Sequence, residues 1–463
     1  MRLKSDLPTE LKYHAVVIEA AARDAGLDFF DVIFELLDAR DVNGVAAYGG
    51  FPVRYPSWRF GMDFERLQKG HQWGLSKIYE LVINNDPTYA YLVRSNSLLE
   101  QKLVMAHVYG HADFFKNNVW FEPTERKMLD RMGQHSTRVR RMIDAMGVEE
   151  VERVLDAMLS VETLIDPYLP RRRWTQSCIS DREALSDRRR RSLERFGLGD
   201  PSPQVESVTH DPSADLPTYD VLGFLEEHAP LKPWERELMS IVRQEAYYFA
   251  PQRTTKVINE GWACYWHSKL LTGGLLDPSE IVDFADTHAG ATAASAGQLN
   301  PYRLGLRLLR YAEDCGKDLF LLRRVHNDVT LIDELMDEEF VMRYFGIPRG
   351  AEDQAREQGL DWEAFKAKLL GDLAWGGMPR IELAGVDASG VLQLQHRHDG
   401  RDLQISTASE TMRNLERLWR APVTLETSVE ERPKRFTVRE GQLETEDLSE
   451  PVADDSEELV AAD

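Results

Sequence analysis

The chain reads as a mainly α-helical protein with a zincin-like metal-binding helical core and a small C-terminal α+β domain. Three observations predict this class. Apolar residues recur at helical spacing over most of the first 345 positions. Within that region His107 and His111 stand four residues apart, one above the other on a helix face, as a bound metal requires. After Pro379 the pattern changes to short runs around Gly-containing turns, Asp387-Ala-Ser-Gly390 and Asp399-Gly400, which read as strands.

A helix is expected over 8–38, where Leu11, Val16, Val17, Ala20 and Ala21 are followed by Phe29, Phe30, Val32, Ile33, Leu36 and Leu37. Next comes Tyr48-Gly-Gly-Phe-Pro-Val-Arg-Tyr-Pro-Ser-Trp-Arg-Phe-Gly61, too broken for a helix and suited to packing over a core or lining a cleft. A helix over 62–72 and a short strand over 89–93 follow. Ser97, with Glu100 three residues on, forms a capping box that opens the helix bearing His107 and His111. Residues 123–160 read as amphipathic helix. Between 171 and 218 periodicity is lost among Arg171-Arg-Arg173, Arg188-Arg-Arg-Arg191 and alternating Gly, Pro, Ser and Asp, which predicts a flexible Arg-rich surface insertion. Helices resume over 233–250 and 253–271. The small-residue segment 287–297 is expected to be a loop feeding a helix with Pro301 in its first turn. In the C-terminal part, strands are expected over 381–384, 391–396, 403–405, 423–428 and 435–439, with a helix over 407–419. The resulting division is a helical domain over 1–345, an α+β domain over 346–440 and an acidic disordered tail over 441–463.

With 463 residues the chain can bury a large core. Its net charge of -22 argues against a nucleic-acid partner, because neutralising phosphates needs clustered Lys and Arg. Cys178, Cys264 and Cys315 form neither a disulfide framework nor a CxxC pair, which fits a reducing interior. The first residues carry no apolar signal core, and no run reaches the roughly 18 apolar residues of a membrane span. The expected location is cytoplasmic. Neither a phosphate-binding Gly-rich loop nor a GxSxG elbow is present.

The chemistry concentrates in two segments. The second, Val257-Ile-Asn-Glu-Gly-Trp-Ala-Cys-Tyr-Trp-His267, offers Glu260 as a carboxylate ligand from another helix. His107, His111 and Glu260 would fill three positions of a tetrahedral zinc and leave one for water. Manganese or iron(II) can use the same donors. His267 shares the Glu260 face, but two turns, about 10 Å of rise, make joint ligation of one ion awkward. It is therefore expected to face a cleft further along, with a fourth ligand or a group that orients the ligands as the alternatives. Zinc peptidases carry a general-base Glu after the first His; here that position is Val108. Asp113, Glu245 and His267 are the catalytic candidates, with Glu122 and Tyr248 behind them, and spacing does not choose among them. Phe114 and Phe115 read as core, Asn117 and Asn118 as the helix end. Trp262, Tyr265 and Trp266 suit a core position, and so does Cys264, one turn past Glu260.

Three segments in this order, His107-Val-Tyr-Gly-His-Ala-Asp-Phe-Phe-Lys-Asn-Asn118, Asn259-Glu-Gly-Trp-Ala263 with His267, and Leu299-Asn-Pro-Tyr-Arg-Leu-Gly305, resemble the SpoVR family (stage V sporulation protein R-like). The aromatic stretch ending at Gly61 and His288 add to the likeness, which covers about residues 8–345 and continues more weakly beyond. Two departures stand out. Ser57 precedes Trp58 where the family often shows His, and the 171–218 insertion is particular to this chain. The resemblance implies a cytoplasmic protein linked to spore cortex formation in spore-formers and to stress or stationary-phase responses elsewhere. It also implies association with a PrkA-type serine kinase and a von Willebrand-like YhbH-type partner. It supplies no established reaction. A metal-dependent hydrolase of peptide or amide bonds, a non-catalytic regulator or scaffold working with the kinase, and an oxidative iron or manganese enzyme are the readings to separate.

Overall fold

The computed structural model describes residues 7–72, 81–173, 219–293, 299–345 and 362–448. Helix α1 (Thr9–Asp24) stops where Gly26 takes a φ of 93°, a left-handed conformation that glycine adopts without steric cost. The helix expected to reach residue 38 therefore ends early. Its second half is strand β1 (Val32–Leu37). That run is short, apolar and partly β-branched, and periodicity alone does not separate such a strand from a buried helix. Pairing decides it. After helices α2 (Ala39–Ala47) and α3 (Trp58–Gln72) and strand β2 (Leu81–Ile83), β3 (Thr88–Val93) lies parallel to β1, with Val32 opposite Thr88 and Leu37 opposite Val93. Strand β2 completes a sheet of order β1-β3-β2. The broken aromatic segment packs inward through Phe51 and Tyr55, and α3 begins at Trp58, earlier than expected.

Helix α4 (Leu98–Asn117) opens with the expected capping box, Glu100 N donating to Ser97 Oγ and Ser97 N to the Glu100 carboxylate. From Gln101 to Phe115 every residue is buried, so α4 is a core helix with no solvent face. The expected 123–160 helix is two, α5 (Met128–Met146) and α6 (Val148–Ser160), parted at Gly147 with φ 90°. Most of the 171–218 insertion, from residue 174 on, lies outside the described residues. Helices α7 (Val221–His228), α8 (Pro233–Thr254) and α9 (Lys256–Leu270) follow. The segment expected as a loop from 287 instead ends helix α10 (Ile281–Ala291), which puts His288 on a helix. Helix α11 (Pro301–Asp314) has Pro301 in its first turn and Asn300 as its cap. Helices α12 (Leu319–Val325), α13 (Asp328–Leu335), α14 (Glu338–Phe345) and α15 (Trp362–Leu373) complete the helical part.

The chain forms two compact units. One comprises Met1–Val148, Pro167–Pro203 and Tyr247–Gly377. Its core is built around α4, α9 and α11, and Leu369 of α15 is buried in the same cluster as Leu331 and Phe340. The helical unit thus runs past the boundary expected at 345, because α15 supplies part of its core. Close backbone approach fixes the central helices. A Cβ on Gly110 of α4 would lie 2.7 Å from Ala263 Cα of α9, and one on Gly305 of α11 would lie 2.7 Å from Gly261 Cα and overlap the Val257 carbonyl.

The second unit comprises Glu149–Asp166, Gln204–Ala246 and Met378–Asp463. Strands β4 (Ile381–Val386), β5 (Leu392–His396), β6 (Val423–Val429), β7 (Arg432–Arg439) and β8 (Gln442–Asp447) form a sheet in that order. Helix α16 (Ile405–Trp419) makes the crossover between the parallel pair β5 and β6. Strand β6 alternates strictly, burying Val423, Leu425, Thr427 and Val429. The strand expected over 403–405 is absent, since Ile405 already begins α16. The tail expected to be disordered from residue 441 is ordered over its first residues: acidic β8 pairs with basic β7, and Arg435 lies 3.1 Å from Glu446. That neighbour offsets the charge that made the segment read as disordered; residues 449–463 lie outside the described ones.

Candidate metal centre

Helix α4 presents His107 and His111 on one face, and α9 presents Glu260 towards them. Glu260 Oε2 lies 3.5 Å from His107 Nε2 and 3.4 Å from His111 Nε2. Ligands about 2.1 Å from a tetrahedral zinc stand about 3.4 Å apart, so these separations match the edges of such a coordination shell. They are too long for good hydrogen bonds. Glu260 Oε2 is sealed from solvent and makes no conventional hydrogen bond, although the side chain keeps 17% of its surface. A buried carboxylate oxygen left in this state implies an absent partner, and a cation between the three atoms supplies one. Burial by itself would raise the Glu260 carboxyl; imidazoles that donate Nε2–H to it, as they can without a metal, outweigh that and hold it well below the usual carboxylate range.

The contacts behind the donors set their tautomers, as inferred from the hydrogen-bond network. His111 Nδ1 lies 2.9 Å from Asn259 Oδ1, which can only accept, so the proton sits on Nδ1 and Nε2 keeps its lone pair towards Glu260. His107 Nδ1 lies 2.9 Å from His267 Nδ1, and His267 Nε2 lies 2.9 Å from His288 Nδ1. Burial drives the His267 pKa well below the ordinary imidazole value, with His107 and His288 adding to the effect. Burial also lowers His288. Each of these two contacts joins a nitrogen that donates to one that accepts, so the tautomers of the three rings are coupled. A cation beside Glu260 needs Nε2 of both rings free of a proton, and the Asn259 acceptor favours that tautomer at His111.

Two further contacts hold this arrangement. Asp328 accepts hydrogen bonds from Val257 N and Ile258 N, anchoring the first turn of α9 just before Glu260. Lys102 of α4 pairs with both Glu280 oxygens, at 3.0 and 2.8 Å, and ties down the entry to α10 that carries His288.

His107, His111 and Glu260 are thus brought together as the spacing predicts. The cleft expected at His267 is not found: the residue is 2% exposed and bonded to His107, where the alternative of an orienting group would stand. Asp113 is fully buried and turned to other partners, accepting from Asp28 N at 2.8 Å and Trp262 Nε1 at 2.8 Å, with Arg323 Nε at 3.3 Å. Burial pushes its carboxyl up to about 6 against the opposing effect of Arg323. Glu245 is buried in the second unit, whereas the histidines belong to the first. Tyr248 donates to Asn84 O, and exposed Glu122 pairs with Arg171. Val108 is wholly buried. Phe114 and Phe115 are core, and Asn118 caps α4 while donating to the Arg323 and His326 carbonyls. Sequence reasoning assigned no role to Asn259; its place one residue before Glu260 was the available signal.

Among the described residues, no helix is long and apolar enough to cross a membrane. Residues 6–377 match the family model described as SpoVR like protein, and residues 379–430 match the SpoVR-like C-terminal domain. A curated relative, the uncharacterized protein YcgB of Escherichia coli (strain K12), is 30% identical over 326 residues, covering 65% of this chain and 62% of the relative. The chain therefore aligns with less than two thirds of that protein's length. No solved structure matches. With both models together spanning nearly all of its described residues, the chain belongs to the SpoVR family.

Proposed function

We propose that His107, His111 and Glu260 hold a divalent cation, zinc in the first place with manganese or iron(II) as alternatives, in a zincin-like core. The observation that carries this is the 3.4–3.5 Å spacing of two buried imidazole nitrogens from Glu260 Oε2. Such a cation supplies Lewis acidity and a water of lowered pKa, the means of hydrolysing a peptide or amide bond. The chain's own residues contribute orientation: Asn259 and His267 hold the two imidazoles from behind, and the glycine contact between Gly110 and Ala263 keeps α4 close to α9. The function that follows is a metal-dependent hydrolase of the cytoplasm. Family membership supports its link to sporulation, through cortex formation, or to a stress response.

A second reading has its own observation. Val108 stands in the place of the usual base, and Asp113, the nearest carboxylate in sequence, is committed to Arg323 and Trp262. That favours a non-catalytic regulator that keeps the metal as a structural element and works with a PrkA-type serine kinase and a YhbH-type partner. Metal analysis of the purified chain beside His111→Ala and Glu260→Gln tests the centre. One equivalent in the parent and less than a tenth in each variant is expected; unchanged content in both variants would sink it. Turnover on a peptide library that vanishes on chelation supports the hydrolase. Kinase co-purification that survives chelation, without turnover, supports the regulator.

A further inference from the structure

We propose that α4 and α9 carry a second cation position, formed by His107, Cys264 and His267, which a thiophilic ion occupies in exclusion of the first. On α9, Glu260, Cys264 and His267 fall at i, i+4 and i+7, one continuous face. The ligand atoms of His107, Cys264 and His267 all lie within 4.8 Å of one another, and all three residues are buried. His107 Nδ1 and His267 Nδ1 are 2.9 Å apart, about 0.5 Å short of a tetrahedral edge, so a cation replacing their shared proton needs only a small opening. His267 also has the outer partner that a ligating imidazole ordinarily has, since its far nitrogen meets His288 Nδ1 at 2.9 Å.

Donor chemistry separates the two positions. Two nitrogens and a carboxylate suit a hard or borderline ion; two nitrogens and a thiolate suit a soft one such as cadmium(II) or copper(I). Binding at the second position releases the Cys264 thiol proton to solvent, because the thiolate is the ligand. Exclusion follows from His107. A neutral imidazole has one lone pair. With the proton on Nδ1, Nε2 faces Glu260 and serves the first position; with the proton on Nε2, Nδ1 serves the second. The second position shares His107 with the proposed centre but does not require that centre to fill.

The test uses the full chain in a Cys178→Ser, Cys315→Ser background, which leaves Cys264 as the one thiol. Metal-free protein is titrated with cadmium(II), reading the ultraviolet thiolate-to-cadmium charge-transfer band, and separately with manganese(II), reading bound ion. One cadmium per chain with a full band is expected. The band should vanish in Cys264→Ala and persist in His111→Ala and Glu260→Gln. Manganese binding should persist in Cys264→Ala, which also shows that this variant folds, and be lost in His111→Ala. Cadmium should displace manganese from the parent. Cadmium bound without the band, or a band surviving Cys264→Ala, overturns the second position; both ions bound together overturn exclusion. Failure of the first centre alone would remove manganese binding and leave the band.

Discussion

Replacing Gly305 by alanine tests whether backbone contact sets the distance between the central helices. On propensity alone the change stabilises α11, since alanine is better than glycine in a helix interior by about 1 kcal/mol. The structure opposes it. The new Cβ would overlap the Val257 carbonyl and lie 2.7 Å from Gly261 Cα, where carbon atoms need about 3.5–4.0 Å. Neither obstacle is a side-chain end that can swing away, so α9 and α11 must part by about 1 Å. Overpacking of this kind costs about 1–3 kcal/mol, and the gap loosens neighbours such as Leu304 and Leu308, which are buried in the same cluster. The net expectation is a loss of about 2–4 kcal/mol, read as a lower urea midpoint by far-ultraviolet circular dichroism. Gly133→Ala in α5 is the control, because nothing lies within 4 Å of its added Cβ. It should be neutral or stabilising by up to about 1 kcal/mol. If Gly305→Ala matched the parent, or if Gly133→Ala lost as much, backbone contact would not be what holds α9.

Asp113→Asn should lower stability by about 3–5 kcal/mol, because it leaves the buried Arg323 guanidinium without its counter-charge. Metal content per folded chain should stay unchanged in that variant, whereas a catalytic or ligating Asp113 would predict the reverse pattern. Asn259→Ala removes the acceptor that orients His111, and equilibrium dialysis should show metal affinity weakened about 10–100-fold with stoichiometry retained at saturation. His396, bonded through Nδ1 to Thr427 Oγ1, has its pKa lowered from 6.5, chiefly by burial, with His398 and Arg401 adding to the effect and Asp399 and Asp402 opposing it. The unfolded chain therefore takes up the proton first as pH falls, so its contribution is present above pH 6.5 and is lost below it. Melting curves of the parent should fall more steeply than those of His396→Gln from neutral pH to about 5; parallel curves would remove His396 from the balance.

The meeting of His107, His111 and Glu260 was legible because helical spacing alone puts His107 above His111, and a Glu within a second apolar helix is placed to face them. Between the alternatives for His267 the sequence could not choose: its distance along α9 was judged against a single ion, yet α4 runs beside α9, so His267 meets the other nitrogen of His107 instead of a cleft. Strand β1 was hidden because Val32–Leu37 is apolar at every position but Glu35, and only its pairing with β3 distinguishes it from helix. The glycines carried an unused signal: Gly110, Gly261 and Gly305 each interrupt a helical run at a cost in propensity that close packing explains. Strand β8 was masked by its acidity, which composition reads as disorder when the basic partner strand is not in view.

The side chains that meet at the candidate centre come from distant parts of the chain: 148 positions separate His111 from its partner Asn259, and 160 separate His107 from its partner His267. At synthesis rates of about 5–20 residues per second, the α4 histidines emerge roughly 7–30 s before the helix that completes their set. During that interval the nascent chain offers any passing ion only two imidazoles on an isolated helix. Capture must await closure of a long loop and docking of α9. On the proposed assignment loading is therefore a late event in biogenesis, and the ion taken up would reflect what the cell supplies once translation has passed α9.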